Sequence, residues 1–308
     1  MARSRRPPDE GRLIQLVYYL YVGLSAAARR LPEGLSYGAA RFFGDVALRI
    51  SKKRGQVAKN LARITGKDPE SAEVQHLVRE AYRSYARYWL ETFRLVREDQ
   101  AFFLERFKSP TQDNLFNVTK RGKGGLVVVG HLGNWDAAGA WVGASGYKLV
   151  TVAEVLKPRR MFDFFAEHRA RLGMTIYAAE KGVTARLAQE VEDGAIVAIL
   201  GDRDLKGTGP EVSFFGEAAN FPRGAAQIAL QTGVAPCIAG VFGVTRADGK
   251  RGWVADITEP IELPRMTGEE AIQELTQRIA IGLERQVKAH PEEWHVFQPF
   301  WKADRERA

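Results

Sequence analysis

Residues 126–136 read LVVVGHLGNWD, and the fold class turns on this stretch. Leu126 followed by Val127, Val128 and Val129 is a short apolar run of the kind that forms a strand buried on both faces of a parallel sheet. Gly130 and Gly133 permit a sharp turn directly after it, Asn134 and Asp136 are helix-capping types, and 137–142 resumes as helix. His131 and Asp136 therefore fall where a buried strand gives way to a helix, the edge at which open α/β sheets hold their ligands. Residues five apart on one helix diverge, so the two side chains meet only with His131 in the turn and Asp136 near the helix start. Such a pair predicts a general-base dyad, in which the carboxylate fixes the imidazole tautomer and the other ring nitrogen takes a hydroxyl proton. The same two residues also suit a plain helix cap with a hydrogen-bonded histidine beside it.

Downstream, the pattern alternates. Strands are expected at 148–153, 175–179, 195–200, 234–241 and 253–257, and helices at 158–172, 183–192, 224–232 and 267–289. Helices between strands imply crossovers and a largely parallel central sheet flanked by helices, an α/β fold. No G-x-G-x-x-G or Walker sequence advertises a nucleotide site. Upstream, helical spacing runs over 36–54 and again from Asp68-Pro69-Glu70 to Val96, with Val74, Val78, Ala81, Tyr85, Trp89 and Phe93 on one stripe. That stripe is expected to be a core face, with an apolar wall for a lipid chain as the alternative.

The chain has 308 residues, 45% hydrophobic and 27% charged, which is ample for a core and unlike a disordered chain. Its formal net charge of +8 favours anionic partners. The basic residues are scattered among acids rather than gathered on one element, which argues against nucleic acid. The single cysteine, Cys237, excludes an internal disulfide and sits in an apolar run. Residues 1–12 read as a basic arm. Residues 13–28 are uncharged, shorter than the roughly 20 needed to span a bilayer, and followed by Arg29 and Arg30. A signal peptide competes for this segment, but Tyr18, Tyr19 and Tyr21 are unusual in one, and a membrane-interface helix is the expectation. The division is thus 1–35, arm and interface helix, and 36–308, a single α/β domain.

Further residues reach the same sheet edge. Glu154 directly follows a strand, Arg169 lies in the next helix, and Asp202-Arg203-Asp204 follows the strand ending at Leu200. On their own, these suit a solvated helix face and a loop ion pair. His131, Asn134, Asp136, Asp202 and Asp204 are also acceptable metal ligands, so a metal-dependent phosphoesterase is a rival, though only one histidine is near the cluster.

The block GHLGNWD resembles the His-x4-Asp signature of the bacterial lipid A biosynthesis acyltransferase family, particularly its actinobacterial phosphatidylinositol mannoside acyltransferase branch. Four more blocks are similar in order and setting: AEVLKPRRMFDFFAEHRARLG at 153–173, DRD at 202–204, EVSFFGE at 211–217 and HPEEWHVFQPFW at 290–301. FFGEAANFPRG stands where glycerophosphate acyltransferases carry an FPEGT-type block. The resemblance implies catalytic roles for His131, Asp136 and Glu211. It implies substrate contacts for Glu154, Arg169, Asp202, Arg203, Asp204 and Glu217, with Arg169 on donor phosphate or shaping the cleft. It further implies acyl-CoA as donor, a mannose hydroxyl of a glycolipid as acceptor, no resident cofactor or metal, and a peripheral or monotopic seat on the cytoplasmic face of an anionic plasma membrane. A lipid A precursor acylated from acyl-carrier protein is the nearest alternative. No acyl-enzyme is required, so no Ser or Cys nucleophile is sought, and backbone N–H groups at 130–134 or at the helix start are the expected oxyanion donors.

Overall fold

The computed structural model describes residues 12–119, 122–155, 159–204 and 207–306. Residues 1–11 of the expected basic arm, and Lys157 and Lys206, lie outside them. Five helices come first: α1 (Arg12–Ala28), α2 (Glu33–Ile50), α3 (Arg54–Thr65), α4 (Ala72–Leu95) and α5 (Gln100–Arg106). A two-residue strand β1 (Phe107–Lys108) and α6 (Asp113–Thr119) precede the alternating part. That part runs β2 (Gly125–Val129), α7 (Trp135–Ala144), β3 (Leu149–Ala153), α8 (Arg159–Arg171), β4 (Met174–Ala178), α9 (Val183–Glu192) and β5 (Ile196–Leu200). A hairpin of β6 (Glu211–Phe214) and β7 (Glu217–Asn220) follows, then α10 (Gly224–Thr232), β8 (Cys237–Thr245), β9 (Arg251–Ile257), α11 (Gly268–Ala289) and α12 (Lys302–Arg305).

The hairpin stands apart, and the other strands form one seven-stranded sheet ordered β1-β9-β8-β2-β5-β3-β4. β2 lies at its centre, parallel to both β5 and β8. The mixed α/β expectation holds, with one exception to parallel pairing: β8 and β9 are antiparallel, because only five residues join them and a crossover needs a dozen or more. All five residues of β2 are buried. Leu126 and Val128 face one core, with α9, α10 and α11, while Val127 and Val129 face the other, with α7. Period-two alternation between two helix-covered faces is why the run contains no polar residue.

The α4 stripe divides. Val74, Val78 and Ala81 are fully buried, whereas Tyr85 and Trp89 are half-exposed and wall a groove. Sequence periodicity did not separate α3 from α2. Ser51 ends α2 in an extended conformation and the chain restarts helically at Arg54. α1 lays Tyr21 edge-on against Trp89, Phe93 and Phe165. Among the described residues, no helix is long and apolar enough to cross a membrane. α2 turns Leu35, Phe42, Phe43 and Ile50 outward, each more than 60% exposed.

The turn after β2 depends on one glycine. Gly133 has φ +60°, and a Cβ there would lie 1.8 Å from the Val241 carbonyl oxygen. Backbone on backbone leaves nothing to swing aside. Gly133→Ala should therefore destabilise the protein by more than about 2 kcal/mol, read as a lowered urea midpoint. An unchanged midpoint would contradict this packing.

Candidate functional site

Strand register builds the site. β2 and β5 pair Val129 with Leu200, so the residues two positions beyond each, His131 and Asp202, leave the sheet side by side. Asp202 is fully buried, and its Oδ1 lies 2.6 Å from His131 Nδ1. Its Oδ2 accepts from the His131 backbone N–H at 2.8 Å and from Trp294 Nε1 at 2.9 Å. Burial alone would raise this carboxyl's pKa. The charge of His131, with the bonds from its ring and backbone and from Trp294, outweighs burial and holds the pKa below the ordinary value. A carboxylate only accepts, so the ring proton sits on Nδ1 and Nε2 keeps its lone pair. The His131 ring, 18% exposed, lines the groove.

The expected partner, Asp136, is engaged elsewhere, and the His131–Asp136 dyad is corrected accordingly. α7 begins at Trp135, which puts Asp136 in its first turn, and the carboxylate is buried beneath the groove. Arg169 Nε donates to Oδ1 at 2.7 Å, and the hydroxyls of Tyr88 and Thr92 donate to Oδ2 at 3.3 Å. Asp136 thus ties α7 to α8 and α4. Arg169 is a groove wall held by that ion pair.

Glu154 stands exposed at the groove's rim, past the end of β3. Arg203 also lines the groove, and its Nε is buried with no partner among the described residues. Asp204 is buried and accepts from the Gly209 N–H at 2.6 Å, anchoring a loop rather than facing the groove. Glu211 and Glu217 are corrected as well. Val212 and Phe214 point into the core from β6, which turns Glu211 outward onto Lys302. Glu217 accepts from Arg63 at 2.9 Å, and neither glutamate lines the groove.

Sequence reading missed the clamp on the turn. The segment after α11 pairs with it: His295 N–H donates to the His131 carbonyl at 2.7 Å, Gly133 N–H donates to the Glu293 carbonyl at 2.9 Å, and Leu132 bridges Trp294. Buried Glu91 of α4 accepts from Asn134 Nδ2 at 2.8 Å, while Asn134 Oδ1 caps α7 by accepting from Ala137 N–H. The backbone donors of His131 and Gly133 are therefore engaged, and of the expected oxyanion donors these two are excluded. A glutamate four residues after Arg87, inside an aromatic helix stripe, was the one available signal for Glu91.

Two cavities meet beside His131. The groove has a cavity volume of about 490 Å³ between α4, the strand ends and α10. A narrow apolar slot, with a cavity volume of about 80 Å³, runs between α7 and the sheet, lined by side chains such as Val127, Trp141, Leu149, Ala198 and Ile257. Trp135, Val152, Arg169 and Leu200 line both and mark the junction. The Trp135 ring packs on Tyr88 at 4.4 Å and meets His131 edge-on at 5.5 Å. Its Nε1 is buried and has no partner among the described residues.

A carboxylate-held imidazole with a bare Nε2, set in a largely apolar groove that carries Glu154, Arg169, Arg203 and His295 and adjoins an apolar slot, defines an α/β protein equipped to take a proton from a substrate with a large apolar part. The chain belongs to the bacterial lipid A biosynthesis acyltransferase family, whose model matches residues 9–303. It is 33% identical over 309 residues to the phosphatidylinositol mannoside acyltransferase of Mycolicibacterium smegmatis, covering 99% of this chain and 96% of that one. Identity is again 33% over 289 residues to the protein of that name in Mycobacterium tuberculosis, covering 90% and 86%.

The Asp202 shift has a sign. A carboxyl with a lower pKa folded than unfolded binds fewer protons in the native state, so its contribution is present above its unfolded value and fades as pH falls through the folded one. The stability gap between wild type and Asp202→Asn should be constant near neutral pH and narrow once pH drops below the ordinary value of 3.8. Urea titrations across pH measure it; a gap that widens in acid would refute the assignment.

Proposed function

We propose that this protein is an O-acyltransferase that moves a fatty acyl group from acyl-CoA to a mannose hydroxyl of a phosphatidylinositol mannoside, on the cytoplasmic face of an anionic membrane. The observation that carries the reading is the bare Nε2 of His131 at the mouth of an apolar slot, and the names of the relatives supply the acceptor. The acyl chain enters the slot and the thioester carbonyl rests at the junction by Trp135. His131 Nε2 takes the proton of the acceptor hydroxyl as its oxygen attacks that carbonyl. Asp202 holds the ring and stabilises the imidazolium, as the carboxylate of a Ser-His-Asp triad does. The oxyanion is met by Trp135 Nε1–H and the free N–H groups of the first turn of α7. Collapse breaks the C–S bond, and the leaving thiolate recovers the proton from His131. Arg203, with an unpaired Nε, suits a phosphate of the donor.

An acyl-cysteine route has no support. Burial pushes the Cys237 thiol up to about 12, and its S–H donates to the Asn114 carbonyl. The phosphoesterase rival loses its ligand set, because Asp136 and Asp204 are engaged elsewhere and no three His, Cys, Asp or Glu side chains among the described residues converge to hold a metal. Membrane seating is supported by the outward Leu35, Phe42, Phe43 and Ile50 of α2, near Arg41, Arg49, Lys52 and Lys53.

Mass spectrometry of lipids after incubation with acyl-CoA and candidate glycolipids tests the activity. An acylated mannoside with release of free CoA is expected, and its absence would overturn the reading. His131→Ala should lower turnover by about 10² to 10⁴ while the protein stays folded. Asp202→Asn should do comparable damage for a specific reason. The amide oxygen is needed at the Oδ2 position by two N–H donors, which leaves the NH₂ facing Nδ1 and forces the proton onto Nε2. The same change in a Ser-His-Asp triad costs about 10⁴ in rate. A near-normal rate for Asp202→Asn would remove Asp202 from the mechanism.

A further inference from the structure

The groove holds a second imidazole whose protonation can be worked out. His295, 9% exposed, lines the same groove as His131 and is joined to it through the backbone. Its Nε2 lies 2.9 Å from Ser84 Oγ. Ser84 has a single hydroxyl proton. Its Oγ sits 3.0 Å from Glu293 Oε2, a carboxylate oxygen that can only accept, so the proton goes there. Arg87 donates to the same Oγ at 3.2 Å and pairs with Glu293. The histidine must therefore donate to Ser84, and the ring carries its proton on Nε2. Burial, then the positive charge of Arg87, and that of His131 only once its own ring is protonated, hold the His295 pKa well below the ordinary value, so the ring is neutral.

Nδ1 is consequently a bare acceptor. It is buried and has no partner among the described residues. The rings around it, Tyr85 at 5.3 Å, Tyr88 at 5.6 Å and Trp135 at 6.3 Å between centroids, are the aromatic walls of the groove. A neutral imidazole in this tautomer offers no N–H to an oxyanion and no charge to a phosphate. What it can take is a neutral O–H.

We propose that His295 Nδ1 accepts a hydrogen bond from a second hydroxyl of the acceptor, next to the one His131 deprotonates, so that the site selects a polyol over a simple alcohol. The assignment rests on the acyltransferase reading and deepens it. His295 is a positioning residue: it binds a hydroxyl that does not react and thereby fixes the one that does.

The test is the rate of acyl transfer from acyl-CoA to the mannoside and to a series of its monodeoxy analogues, each compared as kcat/KM. In wild type, one deoxy analogue that keeps the acylated hydroxyl should be poorer by at least about tenfold. His295→Phe should lower transfer to the full acceptor by a similar factor and bring that preference close to one. His295→Gln, whose amide oxygen is again an acceptor, should keep part of it. A structural role would lower both acceptors together and leave the preference intact, which would overturn the assignment. So would a wild type indifferent to every deoxy position, a result that needs no variant to fold. Transfer to none of the acceptors would overturn the acyltransferase reading, and this assignment with it.

Discussion

One buried carboxylate organises this site. Asp202 receives three N–H donors, from the ring and backbone of His131 and from the indole of Trp294. A charge that deep is tolerated only because all three converge on it. Two of them lock the residue after β2, and the third locks the tail that closes over the turn. The imidazole is thus oriented by the same group that fixes the backbone carrying it, and the catalytic geometry is inseparable from the fold at the sheet's centre.

Around that fixed point, polar and apolar surfaces are sorted. α7 stands between the slot and the groove, held by Glu91 through Asn134 at its cap and by Arg169 through Asp136 in its first turn. Trp135, the first residue of the helix, faces both cavities. In the proposed reaction, the helix that covers the acyl chain is also the one that positions groups beside the thioester. α4 supplies the opposite wall with Tyr85, Tyr88 and Trp89, and contacts α1 and α2, whose outer side carries the exposed apolar residues.

The sheet strands from β2 to β9 and the helices α7 to α11 were legible in the sequence because buried strands leave unbroken apolar runs between helical periods, whereas the β6–β7 hairpin, outside the sheet, was not. The position of His131 in the β2–α7 turn was legible for the same reason. Its partner was not. Asp136 is near in sequence, but proximity along a helix start says nothing of which carboxylate lies across the sheet; Asp202 is set by the β2–β5 register, which no local pattern encodes. Glu211 was misplaced because a motif does not reveal which face of a hairpin packs, and Val212 and Phe214 claim the inner one. The Ser84–Glu293–His295 cluster joins residues some 210 apart in the chain and gave no local signal.

The protonation of His131 is the most direct measurement. Long-range ¹H–¹⁵N correlation spectra at neutral pH resolve both ring nitrogens of each of the five histidines. For His131, a proton on Nδ1 and a bare Nε2 are expected, with the proton shifted far downfield by its bond to Asp202. A His131 protonated on Nε2, or free to exchange between tautomers, would contradict the claim that Asp202 prepares this ring to act as a base.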